Sequence, residues 1–545
     1  MDHKFFQNQI VYQIYPRSFC DSNGDGIGDI PGIISKLDYL KKLGVGILWL
    51  SPVYKTANAD FGYDVSDYYS INPEYGTMQD MLRLIDEAKR KGIRIVMDLV
   101  VNHTSDEHEW FQSSIYPDSP YRDFYYWRKG KKNNTEAPNN WTSNFGGSAW
   151  TYVPEANAYY LHVFGKKQPD LDWHNPKVLD EVEKILRFWL DKGVYGFRCD
   201  VINQIWKEDL NDGKKSLWVT GQEKYLMKEE NHRILRQIYE DVFSKYDCMV
   251  VGETYNVDFK NARRFTDKEL DLAFQFDTVS SDRFLVPIFK TKFKPKKFKK
   301  TFFDWQRELD WNTLFLENHD QPRSINRFGD TKKYFKESAK ELAMILLTLR
   351  GTPFLYQGEE IGMTDYPLFQ AEEYKDPVNF WLLDLLPKFH FSKKKTLQLI
   401  HNCNRDNART PMQWGKGENA DFTSGNETWL PVNPNYPEIN VEVEEKDPDS
   451  ILSFYRQLIQ FRKEEPALLY GTFEPIKTKG SIMAFYRSYQ GEMLFVLLNL
   501  TKKNQRLPHK ISSLVGQVLF SNYSHAGFTF KKRLRPYEGL IVKIK

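Results

Sequence analysis

The 545-residue chain is predicted to fold as a (β/α)₈ barrel carrying an inserted subdomain and a C-terminal antiparallel β-sandwich. Three observations lead there. Short β-rich apolar runs alternate with amphipathic segments through the first 360 residues or so. Several of those runs are apolar almost throughout, as parallel strands covered on both faces must be. Polar residues cluster just past the runs, where a barrel keeps its active site.

The runs 11–15, 47–50, 93–101, 196–202, 249–253, 272–277, 313–320 and 353–356 are read as the eight strands. Between them, 33–43, 78–91, 176–192, 231–245 and 334–349 have helical periodicity. A doubly wound open sheet has the same alternation, and pattern alone leaves it open. From 104 to 173 the rhythm breaks. That stretch is rich in Asn, Gly, Trp and Tyr and too long for a structureless loop, so it is read as a subdomain inserted after the third strand. The barrel then spans 1–103 and 174–467. From 468 onward the strand–helix rhythm is lost. Runs at 493–500 and 539–545 are read as strands of a β domain.

Composition narrows the function classes. Net charge is +3, so no long-range field for nucleic acid or a membrane surface is expected. No uncharged apolar run reaches the roughly 18 residues that span a bilayer. The first residues have no long apolar core of a signal peptide. Cys20, Cys199, Cys248 and Cys403 are widely spaced, which argues against a disulfide framework or a zinc site and for a reducing cytoplasm. Aromatics make up 15% of the chain; they suit sugar faces and large cores alike. The Lys-rich run at 291–300 is read as a solvated surface helix or loop.

The strand ends carry the chemistry. The third run leads from Asp98 into His103, the fourth holds Arg198 and Asp200, the fifth ends at Glu253, and the seventh at Glu317, His319 and Asp320. Carboxylates gathered in one pocket repel one another. Their convergence points to acid/base work on a neutral substrate or to metal binding, and the spacing lacks the close Cys/His pattern of zinc.

These residues lie in motifs that closely resemble the alpha-amylase superfamily (glycoside hydrolase family 13), most of all its bacterial oligo-1,6-glucosidase and alpha-glucosidase group. The motifs are VYQIYPRSF at Val11, DSNGDGIGDI at Asp21, DLVVNHTSDEH at Asp98, QPDLDW at Gln168, GFRCDVI at Gly196, VGE at Val251, ENHDQPR at Glu317, GTPFLYQGEEIGM at Gly351 and RDNARTPMQW at Arg405. The resemblance implies a retaining, exo-acting α-glucosidase for short oligosaccharides. Asp200 would be the nucleophile, Glu253 the general acid/base and Asp320 a third carboxylate holding sugar hydroxyls. Such a pair stands about 5–5.5 Å apart. Arg198, on the same strand face as Asp200, would keep it ionised. His103 and His319 would donate to glucosyl hydroxyls. Asp60 and Arg405 would close the non-reducing end, with Arg409 able to exchange roles with Arg405. Tyr63 would stack on the ring, Phe145 and Phe164 would form its wall, and Gln168 would lie nearby. Asp64, Asp67 and Glu317 are expected to be structural.

Val201, after the nucleophile, resembles α-1,6-cleaving members, whereas threonine or alanine marks α-1,4 specialists. An α-1,4-glucosidase or a trehalose-6-phosphate hydrolase would use the same machinery. A non-catalytic, membrane-anchored homologue would have lost carboxylates that this chain keeps. The 274–278 stretch (Phe-Gln-Phe-Asp-Thr) and the 228–233 stretch (Lys-Glu-Glu-Asn-His-Arg) depart from the family pattern near the expected leaving-group subsite. The loop after the seventh strand, 324–330, resembles hydrolases rather than sucrose-isomerising relatives. Asp21, Asn23, Asp25, the Ile27 carbonyl and Asp29 resemble the first part of a calcium loop. Gly32 stands where an EF-hand has Glu. The resemblance implies a structural Ca²⁺ or Mg²⁺ there, no catalytic cofactor, and a monomer.

Overall fold

The computed structural model describes residues 4–284, 286–512, 514, 516–523 and 533–544. The N-terminal Met1–His3 and the last residue of the expected 539–545 strand lie outside them. Eight parallel strands form one sheet: β1 Val11–Ile14, β2 Ile47–Leu50, β3 Arg94–Leu99, β4 Gly196–Cys199, β5 Met249–Glu253, β6 Leu272–Phe274, β7 Thr313–Leu314 and β8 Thr352–Tyr356. Their order runs β6-β5-β4-β3-β2-β1-β8-β7. The Thr313 hydroxyl donates to the Ala273 carbonyl (2.9 Å) across the remaining β6–β7 seam, so the sheet closes into a barrel. Alternation decides which side each residue buries. Val11, Ile47, Trp49, Val96, Met249, Val251 and Phe354 fill the interior, while Tyr12, Ile14, Leu48 and Ile95 face the helices.

Helices follow each strand, among them Met78–Arg90, Pro176–Asp191, Glu229–Asp241 and Phe335–Thr348. The expected helix at 33–43 is two helices, Ile30–Ser35 and Leu37–Leu43, because Asp29 caps the first early and Lys36 leaves helical geometry between them. Strand β7 is paired over only two residues, whereas eight were expected; beyond Leu314 the chain turns its polar residues into the site.

A three-stranded antiparallel sheet, Trp127–Arg128, Trp150–Val153 and Ala158–Leu161, forms between β3 and the helix Pro176–Asp191. A helix pair not expected from the sequence, Pro377–Lys388 and Lys393–His401, packs beside the hairpin Arg283–Phe284/Val286–Lys290 around Phe369, Leu382, Leu386 and Ile400. At the C-terminal end a five-stranded antiparallel sheet (Thr472–Pro475, Ile482–Tyr489, Glu492–Asn499, Gly539–Ile544, Gly516–Ser521) is joined by the two-stranded ladder Gln505–Arg506/Arg533–Leu534. Most of the Lys-rich run opens the helix Pro295–Glu308. Lys299 is not solvated: it is buried and donates to the carbonyls of Lys479 (2.9 Å) and Ile482 (2.8 Å), tying the barrel to the C-terminal sheet. No described helix is long and apolar enough to cross a membrane.

Candidate active site

Register builds the centre. Asp98 on β3 and Val251 on β5 both pair with Arg198 on β4. Arg198 is therefore buried between two strand neighbours and points toward the C-terminal rim. Its Nη1 donates to Asp98 Oδ1 and Asp200 Oδ1, and its Nη2 to Glu253 Oε2, each at 2.6 Å. One guanidinium thus serves three carboxylates. Glu253 Oε2 also accepts from the amide of Val201 (3.2 Å), the residue after Asp200. Val201 turns the chain out of β4 at φ +37°, a left-handed conformation that strains a β-branched side chain.

The charges are divided unequally. Burial pushes Asp200 up to about 6, against the pull of Arg198 and with the repulsion of Asp98. Arg198 pulls Asp200 toward its ionised form but is shared with Asp98 and Glu253, so burial still leaves it raised. Burial raises Glu253 further, to about 7, with Asp200 and Asp320 adding repulsion against Arg198. Asp320 lies well below its ordinary value: burial opposes ionisation, but His319, Arg405 and Arg409 outweigh it. Near neutrality the site holds an ionised Asp200 beside a Glu253 that can keep its proton. A nucleophile and a general acid require this division.

A charged clamp closes one end. Arg405 donates to Asp60 Oδ1 (3.1 Å), Asp320 Oδ1 (3.1 Å) and, through two bonds, to Asp376 (2.8 and 2.7 Å). Arg409 also reaches Asp320 Oδ1 (2.9 Å), but its Nε is spent on the His319 carbonyl, so only Arg405 joins Asp60. Gln168 donates to Asp60 (3.3 Å) and to the Tyr63 carbonyl (3.0 Å). Asp64 accepts the amides of Ala59 and Asp60 and fixes that turn. Tyr63 lies flat on His319, with centroids 5.1 Å apart. Phe145 sits under the Arg405 guanidinium and edge-on to Phe164, which abuts His103.

Both histidines spend their N–H on protein acceptors. His103 Nδ1 lies 3.1 Å from the Asn102 amide, which can only donate, so the proton belongs on Nε2, 2.9 Å from the Tyr63 carbonyl. Likewise Gln13 meets His319 Nδ1 (2.8 Å), leaving Nε2–H for Asp320 Oδ2 (3.1 Å). Burial lowers both rings, His103 to about 4, so they are neutral.

Glu317 holds Arg323 (2.9 Å), and Asp67 accepts from the Tyr69 amide (2.8 Å), both away from the centre. The 228–233 stretch does not line the cavity of about 290 Å³ onto which Glu253, Asp320 and Arg405 open. It opens the helix Glu229–Asp241, where His232 is buried against Glu269 (2.7 Å). Of the other departing stretch, Phe276 lines the cavity, whereas Asp277 accepts from Trp305 (3.1 Å).

In the calcium-like loop, Asp21 accepts the amides of Asn23, Gly24 and Gly26, Asn23 that of Asp25, and Asp25 that of Ile27. Asp29 accepts from Gly32 and Ser22. The donors on offer are oxygens on alternate residues, the chemistry of a hard cation. Among the described residues no three His, Cys, Asp or Glu side chains are grouped to hold a metal.

Two residues escaped the sequence reading. Asp98 is read there as part of a strand, yet it is fully buried on Arg198, Trp49 Nε1 (2.9 Å) and the Tyr63 hydroxyl. Asp376 precedes Pro377 at a helix start, the signature of an N-cap. It does cap Val378 (3.0 Å), but the same carboxylate anchors Arg405.

A barrel whose strand ends gather a carboxylate pair on one arginine, closed at one side by a charged clamp, is the construction of a glycoside hydrolase. Residues 13–471 match the alpha amylase catalytic domain. The chain belongs to the alpha-amylase family. It is 47% identical to an oligo-1,6-glucosidase of Parageobacillus thermoglucosidasius over 100% of both chains. It is 41% identical to a trehalose-6-phosphate hydrolase of Bacillus subtilis, covering 99% of this chain and 98% of the other. Among solved structures it resembles the trehalulose synthase of Pseudomonas mesoacidophila MX-45, with a TM-score of 0.94, 40% identity and 100% of both chains covered.

Proposed function

We propose that the protein is a retaining, exo-acting α-glucosidase that removes the non-reducing terminal α-1,6-linked glucose of short oligosaccharides. The carrying observation is the Asp200–Arg198–Glu253 bridge, with 2.6 Å contacts on each side, beside the Arg405–Asp60 clamp. Asp200 attacks the anomeric carbon while Glu253 passes its proton to the glycosidic oxygen, and the leaving sugar departs as an alcohol. Glu253, now a carboxylate, takes a proton from water. The water oxygen attacks the same carbon and frees Asp200 and glucose. Asp320, held ionised by Arg409 and His319, grips hydroxyls more tightly as the ring flattens.

Val201 and the oligo-1,6-glucosidase likeness favour the α-1,6 bond. A phosphorylated substrate is less well supported. Of the two cations lining the cavity, Arg405 is held by three carboxylates and Arg283 by the carbonyls of Pro287 and Asn402.

The proposal includes a divalent cation on Asp21, Asn23, Asp25, the Ile27 carbonyl and Asp29, supported by that all-oxygen donor set. It also includes a monomer in a reducing cytoplasm, the compartment that suits four unpaired thiols. The test is glucose release from isomaltose, maltose, trehalose and trehalose 6-phosphate, beside Asp200→Ala and Glu253→Ala. Preference for isomaltose, lost in both variants, is expected. Preference for maltose or the phosphorylated sugar overturns the linkage.

A further inference from the structure

Lys207 is shut off from solvent, as is Asp170, whose carboxylate lies 2.8 Å from its ammonium. A buried ion pair adds little stability over apolar residues of similar volume. Its best-attested use is to fix one arrangement among several. What Lys207 fixes can be read from its other partners.

The ammonium donates to Asn102 Oδ1 (2.7 Å) and to the Gln204 carbonyl (3.2 Å), so with Asp170 its N–H groups are all engaged. These partners come from three places. Asn102 lies where the chain leaves β3 for the inserted sheet, Asp170 where it returns, and Gln204 in the short turn Ile202–Gln204 after β4. The two stems are themselves joined: His103 and Asp170 form an antiparallel bridge, and the Leu171 amide donates to the Asn102 carbonyl (2.9 Å).

A side-chain amide can turn either its oxygen or its NH₂ toward a neighbour. Lys207 claims the oxygen of Asn102. The NH₂ is left for the other side, where it meets His103 Nδ1 (3.1 Å) and Asp170 Oδ1 (3.4 Å). Nδ1 must then accept, which puts the imidazole proton on Nε2, facing the Tyr63 carbonyl. That carbonyl has a second donor in Gln168 (3.0 Å), so the Nε2–H can pass to a sugar oxygen without orphaning it. With Asn102 reversed, its oxygen would draw the proton to Nδ1, and Nε2 would have nothing to donate.

We infer that Lys207 is a positioning residue for sugar recognition: by holding the oxygen of Asn102 it sets the tautomer of His103 and makes Nε2 a donor. The inference rests on the α-glucosidase reading above for what that donor meets.

Long-range ¹H–¹⁵N spectra of enzyme labelled with ¹⁵N-histidine read which ring nitrogen is protonated, and His103→Ala identifies the signals of that ring. Wild-type His103 should carry its proton on Nε2. Lys207→Met, similar in length but without a donor, should move proton onto Nδ1. It should also lower kcat/KM on isomaltose by about 3- to 10-fold, the worth of one neutral hydrogen bond. In a His103→Ala background the same substitution should change kcat/KM by less than about two-fold, because nothing remains to be positioned. Asn102→Asp keeps the ammonium and answers the same question if the methionine variant does not fold: residue 102 can then only accept, so Nδ1 must gain a proton. An Nδ1 left bare in whichever variant folds overturns the inference. So does an equal loss of kcat/KM with and without His103, which would make Lys207 a structural brace. Wild-type enzyme silent on isomaltose, with a His103 tautomer that still follows residues 102 and 207, would overturn the glucosidase reading and leave the tautomer control standing.

Discussion

Replacing Asp376 with asparagine should weaken substrate capture without unfolding the protein. Asp376 is an unexpected member of the clamp: it supplies two of the four bonds that hold Arg405, at 2.8 and 2.7 Å, whereas Asp60 and Asp320 each supply one at 3.1 Å. Asparagine keeps the side-chain oxygen that caps Val378, so the helix start survives. It removes one acceptor and the negative charge. A charge-assisted hydrogen bond is worth about 1.5–3 kcal/mol and a neutral one about 0.5–1.5, so Arg405 loses roughly 1–2 kcal/mol of its anchorage. That corresponds to about a 5- to 30-fold drop in kcat/KM. The loss should fall mainly on KM if, as proposed, the clamp holds the non-reducing end in ground and transition states alike. Initial rates on isomaltose, beside a thermal melt of the variant, measure it. Unchanged kinetics would refute the role assigned to Asp376. So would a lowered Tm with normal rates, which would make it a helix cap and nothing more.

Other outcomes follow from the same geometry. The kcat/KM profile should be a narrow bell, because activity requires Asp200 ionised and Glu253 protonated. It falls as pH drops through about 6 and again as pH rises through about 7, and a flat profile from 5 to 9 would contradict the assigned pair. Val201→Thr should shift the isomaltose-to-maltose ratio toward maltose by about 10-fold or more, since a methyl-scale change in such a pocket is worth about 1–3 kcal/mol. Chelation should lower Tm by about 2 °C or more, read by calorimetry, and Asp21→Asn should abolish that response; a Tm indifferent to chelator argues against the ion.

The barrel was legible because its strands are buried on both faces. Runs such as Ile47–Leu50 and Met249–Glu253 are apolar enough to be bounded by inspection, and the structure keeps those limits. The carboxylates were legible because each falls at or near the C-terminal end of such a run. The helix pair after β8 was not. Its first helix, with Phe, Trp and four leucines around most of its circumference and Pro387 near its end, has no polar face from which a period can be read. Asp376 was hidden by a second, local role that accounts for it completely. The histidines show the converse limit: sequence brings them to the site, but only their partners reveal which nitrogen carries the proton.

The proposed chemistry turns on Asp200 forming a covalent glucosyl intermediate on the face opposite the departing group, which water then displaces. Proton NMR of the first-formed anomer during isomaltose hydrolysis reads this directly. We expect α-glucose to accumulate before mutarotation. β-Glucose appearing first would mean a single displacement by water and would contradict the nucleophile.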